Sequence, residues 1–140
     1  MKRGGFLKRR TKLSKKRKKR SSKEILRDRA WATFSKWIRN RDPLCVSCLA
    51  ELKQIPSANA GHYWHAVLDF DEININGQCV QCNKWRHGNL SAYSSYLINK
   101  HGIRAYRALE SRHYLAMAGE YRTEQDFLDI IEKYDTLVNR

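Results

Sequence analysis

Cys45-Val46-Ser47-Cys48 opens an interval that Cys79-Val80-Gln81-Cys82-Asn83 closes thirty residues later, and the two pairs use every cysteine in the chain. Two C-x-x-C pairs at this separation have the ligand spacing of a closed tetrahedral zinc site, with four thiolates and no open position for chemistry. The two-residue spacer lets each pair fold as a knuckle whose sulfurs point at one ion. Four unrelated buried thiols or two disulfides are the competing readings. The pattern consumes all the cysteines and nothing else marks a secreted protein, so Zn2+ is expected on Cys45, Cys48, Cys79 and Cys82.

Between the pairs lie Ala60-Gly61-His62-Tyr63-Trp64-His65 and Phe70-Asp71-Glu72-Ile73-Asn74-Ile75-Asn76-Gly77-Gln78. A histidine, an Asn five residues before the third Cys and an Asn directly after the fourth give the order His62, Asn74, Asn83. This order resembles the His-Asn-Asn form of the HNH (His-Me finger) nucleases that carry a zinc-bound treble clef. The chain is more similar still to the lambdoid-phage NinG (Rap) recombination proteins, through 60–63 and 70–79, and through Cys82-Asn83 with Gly88-Asn89-Leu90.

The resemblance implies a mainly helical α+β fold in which a zinc-bound treble-clef ββα finger, residues 44–88, is embedded in helices. It implies a DNA endonuclease of phage recombination acting on branched intermediates such as a Holliday junction or a D-loop. By the same resemblance His62 is the general base, Asn83 an oxygen ligand of a catalytic Mg2+ or Mn2+, and Asn74 the residue that fixes the loop orienting the histidine. The zinc is then structural, and sets His62 and Asn83 facing each other. HNH fingers usually carry Asp or His directly before the base, as a metal ligand, whereas Gly61 stands there. The missing ligand has to come from His65, Asp71, Glu72 or His87.

The chemistry suits those residue types. Phosphodiester hydrolysis needs an activated water, neutralisation of the charge developing on phosphorus and help for the leaving oxygen. A histidine, with an ordinary pKa of about 6.5, is matched to take a proton from water at neutral pH. A divalent ion can hold a non-bridging oxygen and the leaving oxygen together.

The chain of 140 residues has a formal charge of +14 that is unevenly spread. Residues 1–23 hold thirteen Lys and Arg and no acid, and the remaining 117 carry fifteen basic and fourteen acidic side chains. The basicity is therefore a tail. Residues 1–20 lack the apolar content to order themselves and are expected to be disordered, with one domain over 21–140. Lys8, Arg9, Arg10, Lys15, Lys16, Arg17, Lys18, Lys19 and Arg20 are candidate phosphate contacts, joined by Lys84 and Arg86 on the finger. No apolar run spans a bilayer and no signal peptide is evident, so the expected place is the host cytosol, with no membrane partner. Thiols stay reduced there and are free to take a metal.

Read in order, Ser21-Ser22-Lys23-Glu24 is a capping box. Leu26, Ala30, Phe34, Trp37 and Ile38 then make one apolar face of a helix that ends before Pro43. Residues 49–59 read as loop, 60–68 as a strand, 69–72 as a turn and 73–75 as a return strand. The second knuckle opens a short helix ended by Gly88. Ser91 is read as the cap of a helix that stops at Gly102, followed by another over 103–109. Residues 110–122 carry little signal, and His101 and His113 read as surface residues. Thr123 caps a last helix lined by Phe127, Ile130, Ile131, Tyr134 and Val138, whose other faces are acidic. A homodimer is expected, formed through that last helix, since paired cuts need two sites; recombination proteins of phage or host are further expected partners. The competing reading of the whole is a non-catalytic zinc-finger module that only holds nucleic acid.

Overall fold

The computed structural model describes residues 19–55, 57–65, 67–119 and 122–140. Of the tail assigned to residues 1–20, residues 1–18 lie outside them. Among these residues three α-helices accompany a two-stranded hairpin and a pair of cysteine knuckles. Among the described residues no helix is long and apolar enough to cross a membrane.

Helix α1, Ser22–Arg41, starts at the expected box: Ser21 Oγ accepts from Glu24 N, while the Glu24 carboxylate accepts from Ser21 N at 2.7 Å. Two of the orphan amides of the first turn are thereby satisfied. Its buried face holds Ala30, Phe34, Ser35 and Ile38. The last helix, α3 (Glu124–Val138), is capped in the same way by Thr123 and Asp126 and buries Phe127, Ile131 and Tyr134. The two faces close on each other. Tyr134 meets Phe34 edge-on at 4.8 Å, and Phe127 and Ile131 pack against Ala30. Ser22 hydroxyl to Glu124 carboxylate ties their starts. The buried stripe of α3 thus packs against α1 within one chain, and Leu128 and Leu137 are what α3 leaves exposed of its large apolar side chains.

The hairpin pairs β1 (Asn59–His62) with β2 (Ile75–Gln78) antiparallel, with His62 opposite Ile75 and Gly61 opposite Asn76. Both strands differ from the expected ones. Beyond His62, Tyr63 N still donates to Asn74 O at 2.9 Å, but from Trp64 on the backbone is bonded to a side chain instead of a strand: Asn74 Oδ1 accepts from Trp64 N at 2.8 Å, and Asn74 Nδ2 donates to the carbonyls of Trp64 and Leu68. β2 is displaced toward the knuckle because Asp71 Oδ1 takes the amides of Ile73 and Asn74 into a turn.

Helix α2, Leu90–Met117, is broken at Gly102 as expected, and its second part runs on past residue 109 to Met117. At Gly102 the backbone leaves helical values, with φ 83°, and open space surrounds the position a Cβ would take. The chain then resumes the helix, because Leu109 and His113 have a core to enter. Its N-cap is Asn89, not Ser91, and Asn89 is left-handed with φ 47°. Tyr93 and Leu97, fully buried, dock the first half of α2 under the hairpin.

Candidate functional site

The first knuckle is shaped by backbone bonds that turn the chain back on itself. Cys45 N donates to Ala50 O at 2.8 Å and Leu49 N to Cys45 O at 2.9 Å, with Leu49 in a left-handed conformation. Val46 N reaches across to Gly77 O at 2.9 Å and so joins this knuckle to β2. The second knuckle continues from β2 into one π-helical turn, Gln81–Trp85. There Cys82 N points at Cys79 Sγ and Asn83 N donates to Cys79 O.

These turns bring the four Sγ atoms within 4.8 Å of one another. Cys48 and Cys79 are 3.7 Å apart, too far for a disulfide. Four sulfurs at about 2.3 Å from one tetrahedral ion stand about 3.8 Å apart, so the donor set and its spacing both fit zinc. Burial pushes the Cys82 thiol up to about 12. A divalent cation is what would hold such a cluster as thiolates.

His62 ends β1, and its ring is held on three sides. Trp31 of α1 stacks on it at 5.0 Å between centroids and 23° between planes, and His65 lies at 5.7 Å and 27°. The third contact is Asp69, whose carboxylate lies 3.3 Å from Nε2. Arg27 donates to the other oxygen of Asp69 at 3.1 Å. The hydrogen bond from His62, above all, holds the Asp69 carboxyl below the usual carboxylate range; Arg27 adds to this, and burial opposes it. An imidazole that donates from Nε2 keeps Nδ1 as its basic atom. The ring opens on a cavity of about 300 Å³ walled by Arg27, Asp28, Trp31, His62 and Asp69.

The strand that carries His62 is held from below. Tyr93 Oη lies 2.9 Å from Gly61 O and 3.1 Å from Asn74 O, and accepts from Asn76 Nδ2 at 3.1 Å. Gly61 is the seat of Gln78. A Cβ at position 61 would stand 2.0 Å from Gln78 Oε1, and Gln78 is fully buried. Its Nε2 donates to Ser47 Oγ at 2.8 Å and to Gly88 O at 2.7 Å, which links β2 to both knuckles.

The residues singled out in the sequence divide accordingly. Asn74 lies at the root of the loop after His62, fully buried and bonded as described. Asn83, half-buried on the π turn, is not a wall of the His62 cavity, because the imidazole faces α1. Asp71 is engaged by two amides and by Arg112 at 3.0 Å. Glu72 accepts from Tyr134 Oη at 2.6 Å and Lys133 Nζ at 2.9 Å. Both therefore serve packing. His87 is exposed beyond the helical turn, with φ 48°, since that turn ends at Trp85 instead of reaching residue 87. Lys84 and Arg86 are exposed on either side of Trp85. Among the described residues the four cysteines are the only group of three or more His, Cys, Asp or Glu placed to share an ion. The expected Mg2+ or Mn2+ ligands are not brought together. His113 is buried and stacked on Trp64 at 4.2 Å, not exposed as expected.

Asp69, Trp31 and Tyr93 had no role in the sequence reading. Asp69 lies seven residues beyond His62 across an irregular loop, where no periodicity predicts contact.

Comparison with known proteins settles the family. The family model described as Bacteriophage Lambda NinG protein matches residues 2–139. The chain belongs to the NinG family. Among curated relatives, Protein ninG of Escherichia phage 933W and of Salmonella phage P22 are each 43% identical over 81 residues. Protein ninG of Escherichia phage lambda is 41% identical over the same length. In each case the match covers 54% of this chain and 38% of the relative. No solved structure gives a significant match to this NinG-family chain.

Proposed function

We propose that this NinG-family protein is an endonuclease of phage recombination that cuts branched DNA, with His62 as its general base. The observation that carries the reading is the seating of His62. Its ring is clamped by Trp31, its Nε2 is directed at Asp69, and the residue lines a cavity; in this reading the other nitrogen takes the proton from water. Arg27, in the wall of the same cavity, supplies positive charge for a phosphate. Asn74 and Tyr93 hold the strand and loop on which the base stands. Asn83 keeps its assignment as an oxygen donor, on the zinc-pinned side.

The described side chains hold no preformed second ion site, so an Mg2+ or Mn2+ would be held in part by substrate oxygens. That same fact favours the competing reading, a zinc-finger module that binds nucleic acid without cutting it. Nicking of a four-way junction, with Mg2+, with Mn2+ and with neither, separates the two. His62→Ala is expected to lose roughly 10²–10⁴ of the cleavage rate, the usual cost of removing a general base, while binding is retained. Cleavage by His62→Ala at the wild-type rate would leave only the binding module.

A further inference from the structure

We propose that Trp85 is a stacking platform for an unpaired base, and that it gives the folded domain a preference for single-stranded or branched nucleic acid over duplex. Resting on the nucleic-acid reading above, it adds a contact that neither the basic tail nor His62 provides.

Three observations converge on it. The first is exposure. Trp31, Trp37 and Trp64 each pack on another ring, respectively His62, Tyr134 and His113. Trp85 is 72% exposed. An indole left in water forgoes its usual burial and offers a π-face to a partner.

The second is rigidity. Trp85 ends the turn that carries Cys82, and the backbone on both sides is bonded. Arg86 N donates to Gln81 O at 3.0 Å, Gly88 N to Cys82 O at 2.9 Å, and Asn89 N to Arg86 O at 2.8 Å. Asn89 Nδ2 points at Cys82 Sγ, and Gln78 holds Gly88 O from beneath. A platform fixed in this way loses little freedom when a base lands on it.

The third is charge. Lys84 and Arg86 flank Trp85 and both are exposed. From residue 73 to residue 109 the chain carries five Lys and Arg and no Asp or Glu, whereas the rest of residues 24–140 carries ten basic and fourteen acidic side chains. Charge is therefore unevenly spread along the folded portion, and Trp85 stands in its acid-free stretch of sequence. Cations beside an exposed aromatic ring match a nucleic-acid strand, whose phosphates they neutralise while the base stacks. In a duplex the faces of the bases are already occupied by their neighbours. At a branch or in a single strand they are not.

The test measures binding by the full chain in zinc-replete buffer without added Mg2+ or Mn2+, using an oligothymidylate and a blunt duplex of equal length. Trp85→Ala is expected to weaken the oligothymidylate complex roughly 5- to 150-fold, the range that one aromatic–base stack carries, and to leave the duplex complex unchanged. Trp85→Phe should recover most of the loss. Because Trp85 is exposed, zinc content and far-UV circular dichroism of the variants should match wild type. An equal loss on both probes, or no loss on either, overturns the stack and assigns the exposed ring to some other surface, such as a protein partner. Wild-type protein that binds neither probe would remove the nucleic-acid reading itself, and the stack with it. Cleavage is not measured, so the assignment of His62 stands or falls separately.

Discussion

At position 61 the lack of a side chain is what allows Gln78 to lie buried across the hairpin and bond both knuckles. Gly61→Ala would set a methyl 2.0 Å from Gln78 Oε1, and the amide could retreat only by breaking its bonds to Ser47 and Gly88. We expect a loss of about 1–3 kcal/mol of stability, measured as a fall in the urea midpoint, as for other overpacked sites. In the sequence this glycine reads as a ligand gone missing, because the offset from His62 is legible and the side chain filling the space is not. Asp69 shows the reverse. Nothing in its spacing announces it, yet it holds the candidate base. Its carboxyl titrates lower in the folded chain than the unfolded value of about 3.9. It therefore contributes stability that is present above that value and is lost as pH falls through the folded one. Asp69→Asn should flatten this acid limb of the stability curve. Denaturation midpoints at neutral pH and near pH 3 should differ less in the variant than in wild type.

Helices were more legible than strands. Caps and apolar spacing locate α1 and α3, since a capping box and a stripe are local signals. The hairpin was misjudged at both ends because Asn74 and Asp71 bond the backbone there, and such side-chain bonds leave no periodic trace. In α2 the resumption after Gly102 depends on Leu109 and His113 finding a distant core. The knuckles have little core of their own. Around the sulfurs the packing is thin: Leu52 with Ala50, Ile55 and Ala58. Zinc bound there would contribute folding free energy. A strong chelator, or Cys79→Ser, should melt the finger while α1 and α3, with a core of their own in Phe34, Ile38 and Tyr134, keep their helicity. Far-UV circular dichroism alongside zinc release would follow both. A chelated protein with an unaltered cooperative melt would refute a structural metal.

Across the whole molecule, charge is divided by region. The first 23 residues hold nearly all the net positive charge, and α3 is acidic. Deleting residues 1–18 should weaken binding to every DNA shape and flatten its salt dependence, since each phosphate contact contributes about −0.9 to the log–log slope on duplex DNA. An unchanged slope in that variant would mean that the tail makes no phosphate contact. Helices α1 and α3, early and late in the chain, close an apolar face on each other. This has a consequence for synthesis. At about 5–20 residues per second, α1 waits on the order of ten seconds on the ribosome before α3 is made. Through that interval the hairpin residue Ile75 and Phe70 can cover this face of α1, but Tyr134 cannot, and a nascent chain broken off before Thr123 never gains it. Such a truncated product would hold the candidate base in a frame that α3 never closes, and the apolar face left open on α1 would invite proteolysis or aggregation.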